Sequence, residues 1–282
     1  MFRWKEDYTA YLLILPAIVY VAFFSFVPSI QAVYESFQTP SEQFVLSNYQ
    51  LLFQGTDLRN SIYNTVVVTL LALAIQFLVA MVIATILMKE FRGKNFFQVG
   101  FMIPFGVATI VASYVFGNDN IFAISGGYAN TILHYIGLPQ PQWINPNSYI
   151  FNVLGLVIAD SWKNTPIVAI VLLAGMTTIP PDIYAAATVD GAGAISRFLR
   201  ITLPNLSNYI AIALIIRGVS EFNIFAMAQF LFPHKILTTL VFSYYGISGT
   251  TYLSYAVATI LLAFIVLFST LVLLYRSWSQ KS

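Results

Sequence analysis

Few residues in this chain could do chemistry, and their spacing is informative. Asp160 and Lys163 lie three apart and Arg217 and Glu221 four apart, each pair inside an otherwise apolar run. On a helix such pairs share a face and can form ion pairs. Inside a bilayer a charge is costly and must face a bundle interior or a partner. Two readings stay open for them: neutralised pairs that stabilise helix packing, or groups that take part in transport. His134 and His234 are far apart and in no metal-ligand spacing, so they read as surface or interface histidines. The absence of cysteine removes disulfides, thiolate metal sites and cysteine nucleophiles. Gly93-Lys94 lacks the glycine five positions earlier that a phosphate-cradling G-x-x-x-x-G-K-[ST] loop needs, and neither G-x-S-x-G nor H-E-x-x-H occurs. The expectation is therefore no catalytic residue, no metal site and no nucleotide site in this chain.

The elements that must position these residues come from hydropathy. Of 282 residues 59% are hydrophobic and 9% charged, against about 25% charged in ordinary soluble domains. A water-soluble fold, disorder and nucleic-acid binding are excluded together, since 13 Lys+Arg against 11 Asp+Glu is no footprint for a polyanion. A helix needs about 20 apolar residues to cross hydrocarbon. Stretches that meet this predict six spans, at about 8–34, 61–88, 95–118, 149–176, 205–229 and 252–275. The first apolar run is too long for a signal-peptide h-region and no small-residue cleavage site comes after it, so it reads as an uncleaved helix in a mature chain.

Lys and Arg alternate in density between the two ends of these spans. Arg3, Lys5, Lys89, Arg92, Lys94, Arg197, Arg200, Arg276 and Lys281 fall on one side, and only Arg59 and Lys235 on the other. The positive-inside rule then predicts both termini in the cytoplasm. The external segment 117–148 is long and rich in Gly, Asn, Pro and Gln, with Ile132, Leu133, Tyr135 and Ile136 marking a short helix. It reads either as an interfacial hairpin anchored by Trp143 in the headgroups or as a docking surface for an external partner.

The cytoplasmic segment 176–204 reads MTTIPPDIYAAATVDGAGAISRFLRITLP. Pro180 and Pro181 can open a helix, Asp182 complements its positive end, and Gly191 can take the positive φ that ends it. This predicts a helix from about Asp182 to Val189, made smooth by Ala185, Ala186 and Ala187. A second helical turn is expected over Ala194–Arg200, before Pro204 begins the next span. An amphipathic interfacial linker would be the plain reading of such a loop.

The order Tyr184-Ala-Ala-Ala-Thr-Val-Asp190-Gly191-Ala192, then Phe198 and Ile201-Thr-Leu-Pro204, resembles the EAA loop of permease subunits in binding-protein-dependent ABC importers. The likeness extends along the chain and is closest to carbohydrate-importer permeases of the maltose and trehalose type. It is carried by Leu15-Pro16, Pro28, Asn48-Tyr49, Asn64-Thr65, Arg92-Gly93-Lys94, Ile103-Pro104-Phe105-Gly106 with Ser113-Tyr114, and Trp162-Lys163-Asn164-Thr165-Pro166. Two departures stand out: Ala185 replaces the loop glutamate, and Leu231-Phe-Pro-His-Lys235 replaces a GGP-containing turn.

The resemblance implies an all-α integral membrane fold, type I ABC importer permease-like, with six transmembrane helices, one transmembrane domain and a cytoplasmic coupling helix. It implies a multi-pass protein of the cell membrane that works beside a second homologous permease, an ABC ATPase dimer carrying ATP and Mg2+, and an extracytoplasmic substrate-binding protein. It assigns ATPase coupling to Tyr184, Ala185, Ala186, Ala187, Asp190, Gly191, Ala192, Phe198 and Pro204. Sugars are held by a few polar groups and aromatic rings, so Tyr114, Asn118, Glu221, Asn223 and Gln229 become candidates for the path of a di- or oligosaccharide such as trehalose or maltose. Permeation of another solute such as a glycerol phosphate, an ion-coupled secondary transporter using Asp160, Glu221 or Arg217, and a membrane scaffold that moves no substrate are the alternatives.

Overall fold

A computed structural model describes residues 4–39, 41, 43–117, 120–124 and 126–279. Helices dominate. α1 (Trp4–Val21) runs through a π-helical turn at Ala22–Phe26 into α2 (Val27–Glu35), succeeded by α3 (Ser47–Gln54) and the long α4 (Thr56–Leu87). Next come α5 (Lys94–Gly106), α6 (Thr109–Phe116), α7 (Tyr128–Tyr135) and α8 (Tyr149–Thr177). The second half holds α9 (Pro181–Val189), α10 (Ala194–Arg197), a π-helical turn at Phe198–Thr202, α11 (Leu203–Asn205), α12 (Ser207–Phe222), α13 (Ala226–Leu231), α14 (Leu237–Tyr245) and α15 (Thr251–Ser279). Among the described residues four helices are long and apolar enough to cross a membrane, or up to six if each of two bent pairs counts as one span.

Those bent pairs are where the structure departs from the expected spans. Over 95–118 the chain forms α5 and α6, bent by 93°. Pro104 removes a helical N–H near the end of α5, and Val107 and Ala108 are extended, with ψ of 132° and 136°. The span expected over 205–229 is shorter: α12 starts at Ser207, bent by 66° from the helical stretch Ala194–Asn205, and stops at Phe222 before the separate α13.

The chain divides into two units. One comprises Met1–Arg59 with Leu240–Leu262. Within it, Asn48 donates to the carbonyls of Ser36 at 2.9 Å and Gln38 at 2.8 Å, and the Ser36 and Tyr49 hydroxyls share a 2.7 Å hydrogen bond. These bonds knit the turn that leads from α2 to α3. The apolar window of α1 and α2 has none of its residues buried within the chain, which leaves its apolar surface to lipid or to another chain.

The other unit comprises Asn60–Thr239 with Ala263–Ser282. Its core uses small residues at helix contacts: Ala80 and Ala84 on α4 meet Val168, Ala169 and Leu172 on α8 and Ala213 on α12. Small side chains let backbones approach, which is how helices associate where burial from water supplies no drive. Gly218 shows the same logic, because a Cβ there would collide with the Phe268 ring of α15.

The segment after α6 is packed in this unit. Trp143 is only 8% exposed, stacks on Phe122 at 4.9 Å and donates its indole N–H to Asn130 at 3.0 Å. It is a core residue rather than a headgroup anchor, because its ring and its N–H both find partners inside the protein. The short helix expected around Ile132–Ile136 is α7.

Candidate functional site

Two constellations stand out, one buried and one exposed. The buried one joins α4, α8 and α12. Gln76, Asp160, Arg217 and Glu221 are 0%, 4%, 6% and 0% exposed. Arg217 donates to Gln76 Oε1 at 3.0 Å, to Asp160 Oδ2 at 3.2 Å and to Glu221 Oε1. The Gln76 amide in turn donates to Asp160 Oδ2 at 2.8 Å and Glu221 Oε1 at 2.7 Å. Asn164, one turn along α8, donates to Asp160 Oδ1 at 2.8 Å. One guanidinium thus serves two carboxylates, and the glutamine amide closes the ring with both its donor and its acceptor. Glu221 Oε2 is buried without a partner among the described residues.

This geometry corrects the pairing of Asp160 with Lys163. Asp160 bonds Arg217, Gln76 and Asn164, while Lys163 donates to the Phe105 carbonyl at 3.2 Å and lies 5.7 Å from that ring's centroid. The reason lies in the break after α5, which leaves carbonyls at the helix end without helical donors, and an ammonium satisfies one of them. The pairing of Arg217 with Glu221 is present. Gln76 is not among the residues that spacing singles out, although it is the lone amide in the apolar run from Val66 to Met88, and a buried amide requires partners.

The exposed constellation is the segment from α9 to α11. Pro181 begins α9 and Asp182 sits in its first turn. Gly191 takes φ of +76°, and the amides of Gly191 and Ala192 close on the carbonyls of Thr188 at 3.1 Å and Ala187 at 2.9 Å. Two side-chain bonds strap α9 to the stretch Arg197–Thr202: the Tyr184 hydroxyl with Thr202 at 2.9 Å, and Arg197 donating to Thr188 Oγ1 at 2.7 Å. Ala185, Ala186, Asp190, Gly191 and Pro204 are exposed, while Tyr184, Ala187, Ala192 and Phe198 are half-buried. Val189 and Ile195 are 88% and 77% exposed, so this segment presents apolar surface beside a smooth alanine face.

The five path candidates are not brought together. Tyr114 is 70% exposed, and Asn223 and Gln229 are exposed, whereas Glu221 belongs to the buried ring. Asn118 lies outside the described residues. Of the histidines, His234 is held by Asn152 at 3.1 Å and burial lowers its pKa from the usual 6.5, while His134 meets Gln140 at 3.1 Å.

The profile of the family described as "Binding-protein-dependent transport system inner membrane component" matches residues 92–281, which include both constellations apart from Gln76. The chain belongs to that family. It is a permease of an ABC importer, a multi-pass inner-membrane transport component and not an enzyme. Among curated proteins it is 30% identical over 258 residues to the trehalose/maltose transport system permease protein MalF of Thermococcus litoralis, covering 87% of this chain and 86% of that protein. It is 30% identical to the trehalose transport system permease protein SugA of Mycobacterium tuberculosis, over 79% of this chain and 72% of that one. The sn-glycerol-3-phosphate transport system permease protein UgpA of Yersinia pestis is 28% identical over 93% of this chain and 91% of its own length. Among solved structures, a bacterial ABC transporter involved in the import of the acidic polysaccharide alginate has a chain that shares the fold, with a TM-score of 0.78 at 22% identity, covering 98% of this permease and 96% of that chain.

Proposed function

We propose that this permease forms half of the pore of an ATP-driven importer for a carbohydrate, with a di- or oligosaccharide of the trehalose or maltose class as the leading substrate. A second, related permease supplies the other half. Two copies of an ATPase hold ATP and Mg2+, and an external binding protein delivers the sugar. In this reading the bent pairs count as spans, giving six, and the surplus of Lys and Arg puts both termini in the cytoplasm.

The observation that carries the proposal is the exposed, strapped α9. It is short, its alanines leave room for a close neighbour, and its two ends lead into α8 and, through α10 and α11, into α12. Displacing such a rigid element displaces the helices attached to it. An ATPase closing on ATP would act on Tyr184–Ala187 and Asp190–Ala192, with Phe198 and Pro204 carrying the motion onward. Ala185 offers no carboxylate, so any ion pair or hydrogen bond that a glutamate would make at that position is absent. The sugar class is supported by the relatives that transport trehalose and maltose; the likeness to a glycerol-phosphate permease makes that ester the competitor to test first.

Purification from native membranes in mild detergent should bring down an ATPase and a second permease. The reconstituted complex should import labelled trehalose or maltose, and Gly191→Asp should abolish both uptake and substrate-stimulated ATP hydrolysis while leaving membrane insertion intact. Recovery of neither partner, or normal stimulated hydrolysis by the variant, defeats the assignment. Uptake of sn-glycerol 3-phosphate in place of sugar would redirect the substrate class alone.

A further inference from the structure

Behind α9 lies a cavity of about 270 Å³ whose occupant the proposed function does not name. It is bounded by the ends of α4 and α8 and by the segment from α9 to Thr202. Met88, Met176 and Phe198 make its wall apolar, while Lys89 and Arg197 bring two cations to it. No carboxylate lines it, and the neighbouring Glu90 is engaged by Lys94 at 2.8 Å. Lys89 has no ion pair among the described residues, and Arg197 spends one N–H on Thr188, leaving others to donate.

Two cations beside an apolar wall select an amphiphile with a negative head. Inorganic phosphate would gain nothing from the methionines and the phenylalanine, and a choline or ethanolamine head would bring a third cation to the two already present. The ends of α4 and α8 lie, on the orientation proposed above, at the cytoplasmic surface of the bilayer, where anionic lipid headgroups are attracted by basic residues. The volume suits a headgroup and its glycerol, with the acyl chains left in the bilayer.

We infer that this cavity is a binding site for an anionic phospholipid of the cytoplasmic leaflet, its phosphate between Lys89 and Arg197 and its glycerol carbons against Met88, Met176 and Phe198. The inference rests on the orientation given under the proposed function. Tyr184 also lines the cavity, so a bound lipid sits against the inner face of α9.

The test is lipid retention in native mass spectrometry of the complex released from nanodiscs of equimolar phosphatidylglycerol and phosphatidylcholine. Phosphatidylglycerol should be retained in preference, and Lys89→Gln with Arg197→Gln should reduce its retention about fivefold for each cation removed. The exchange Lys89→Arg with Arg197→Lys should keep it. If the double glutamine variant fails to fold, Lys89→Gln alone still reads the fivefold loss, because Lys89 is exposed. Equal retention of both lipids, or retention indifferent to the glutamine substitutions, overturns the site. Displacement of phosphatidylglycerol by inorganic phosphate would make it a soluble-anion site and likewise overturn the proposal. The readout needs neither nucleotide nor substrate, so a permease that purified with neither an ATPase nor a second permease would defeat the transport reading and still report on the lipid.

Discussion

The buried ring on α4, α8 and α12 and the exposed segment around α9 use polar chemistry in opposite ways. In the ring, each charge is partnered by another element, and removing one member strands the rest in a medium that cannot solvate them. Around α9 the polar groups are local straps, and the conspicuous surface is apolar and unpartnered. On the proposed function, stability is held in the ring and coupling around α9, so substitutions in the two regions should fail differently.

The largest effect is expected at Arg217. Arg217→Met leaves Asp160 and Glu221 facing each other without their shared cation, a loss of about 3–5 kcal/mol. Thermal unfolding in detergent should show a midpoint far below that of the parent permease. A midpoint unchanged by this substitution would break the comparison on its buried side.

Gly218→Val comes next, since its side chain must displace the Phe268 ring. Overpacking of this kind costs about 1–3 kcal/mol, and Gly218→Val with Phe268→Ala should recover part of it in the same assay. Gln76→Leu removes the amide that both carboxylates and the guanidinium use. About 1–3 kcal/mol should be lost, less than at Arg217 because the charges still meet directly.

On the exposed side, Tyr184→Phe deletes the strap to Thr202 and should cost only about 1 kcal/mol. Its larger signature is expected in stimulated ATP hydrolysis of the reconstituted complex, which should fall at an almost unchanged midpoint. Equal losses in both readouts would mean that the two regions are not separate.

The smallest effect concerns His234. Burial disfavours its imidazolium in the folded protein, so the unfolded chain takes up the proton first as pH falls. Its contribution to stability is therefore full above the ordinary histidine pKa of 6.5 and declines below it. Unfolding midpoints measured downward through that pH should fall less steeply in His234→Gln.

Much of α9 is legible in the order of its residues. Pro181, Asp182, the alanines and Gly191 are local signals, each acting within one helical turn, and the helix forms where those signals put it. The pair Arg217 and Glu221 is legible for the same reason, because i,i+4 neighbours share a face whatever surrounds them. Lys163 is not. Its partner depends on a break in α5 more than fifty residues away, and only the folded chain brings the Phe105 carbonyl within reach. Trp143 misleads for a similar reason, since Phe122 and Asn130 claim its ring and its N–H through tertiary contact.

Sequence alone determined that this protein lives in a bilayer, how its basic residues are distributed about the apolar runs, and which loop carries the family's ordered motif. Hydropathy and charge are additive properties of neighbouring residues, and a motif is an order of letters. Tertiary structure decided that α5 and α6 bend where one straight span was expected, and that Gln76, Asp160, Arg217 and Glu221 close into one ring. Those outcomes depend on which helices pack together, because a buried polar group is satisfied by whichever partner packing delivers, however distant in the chain.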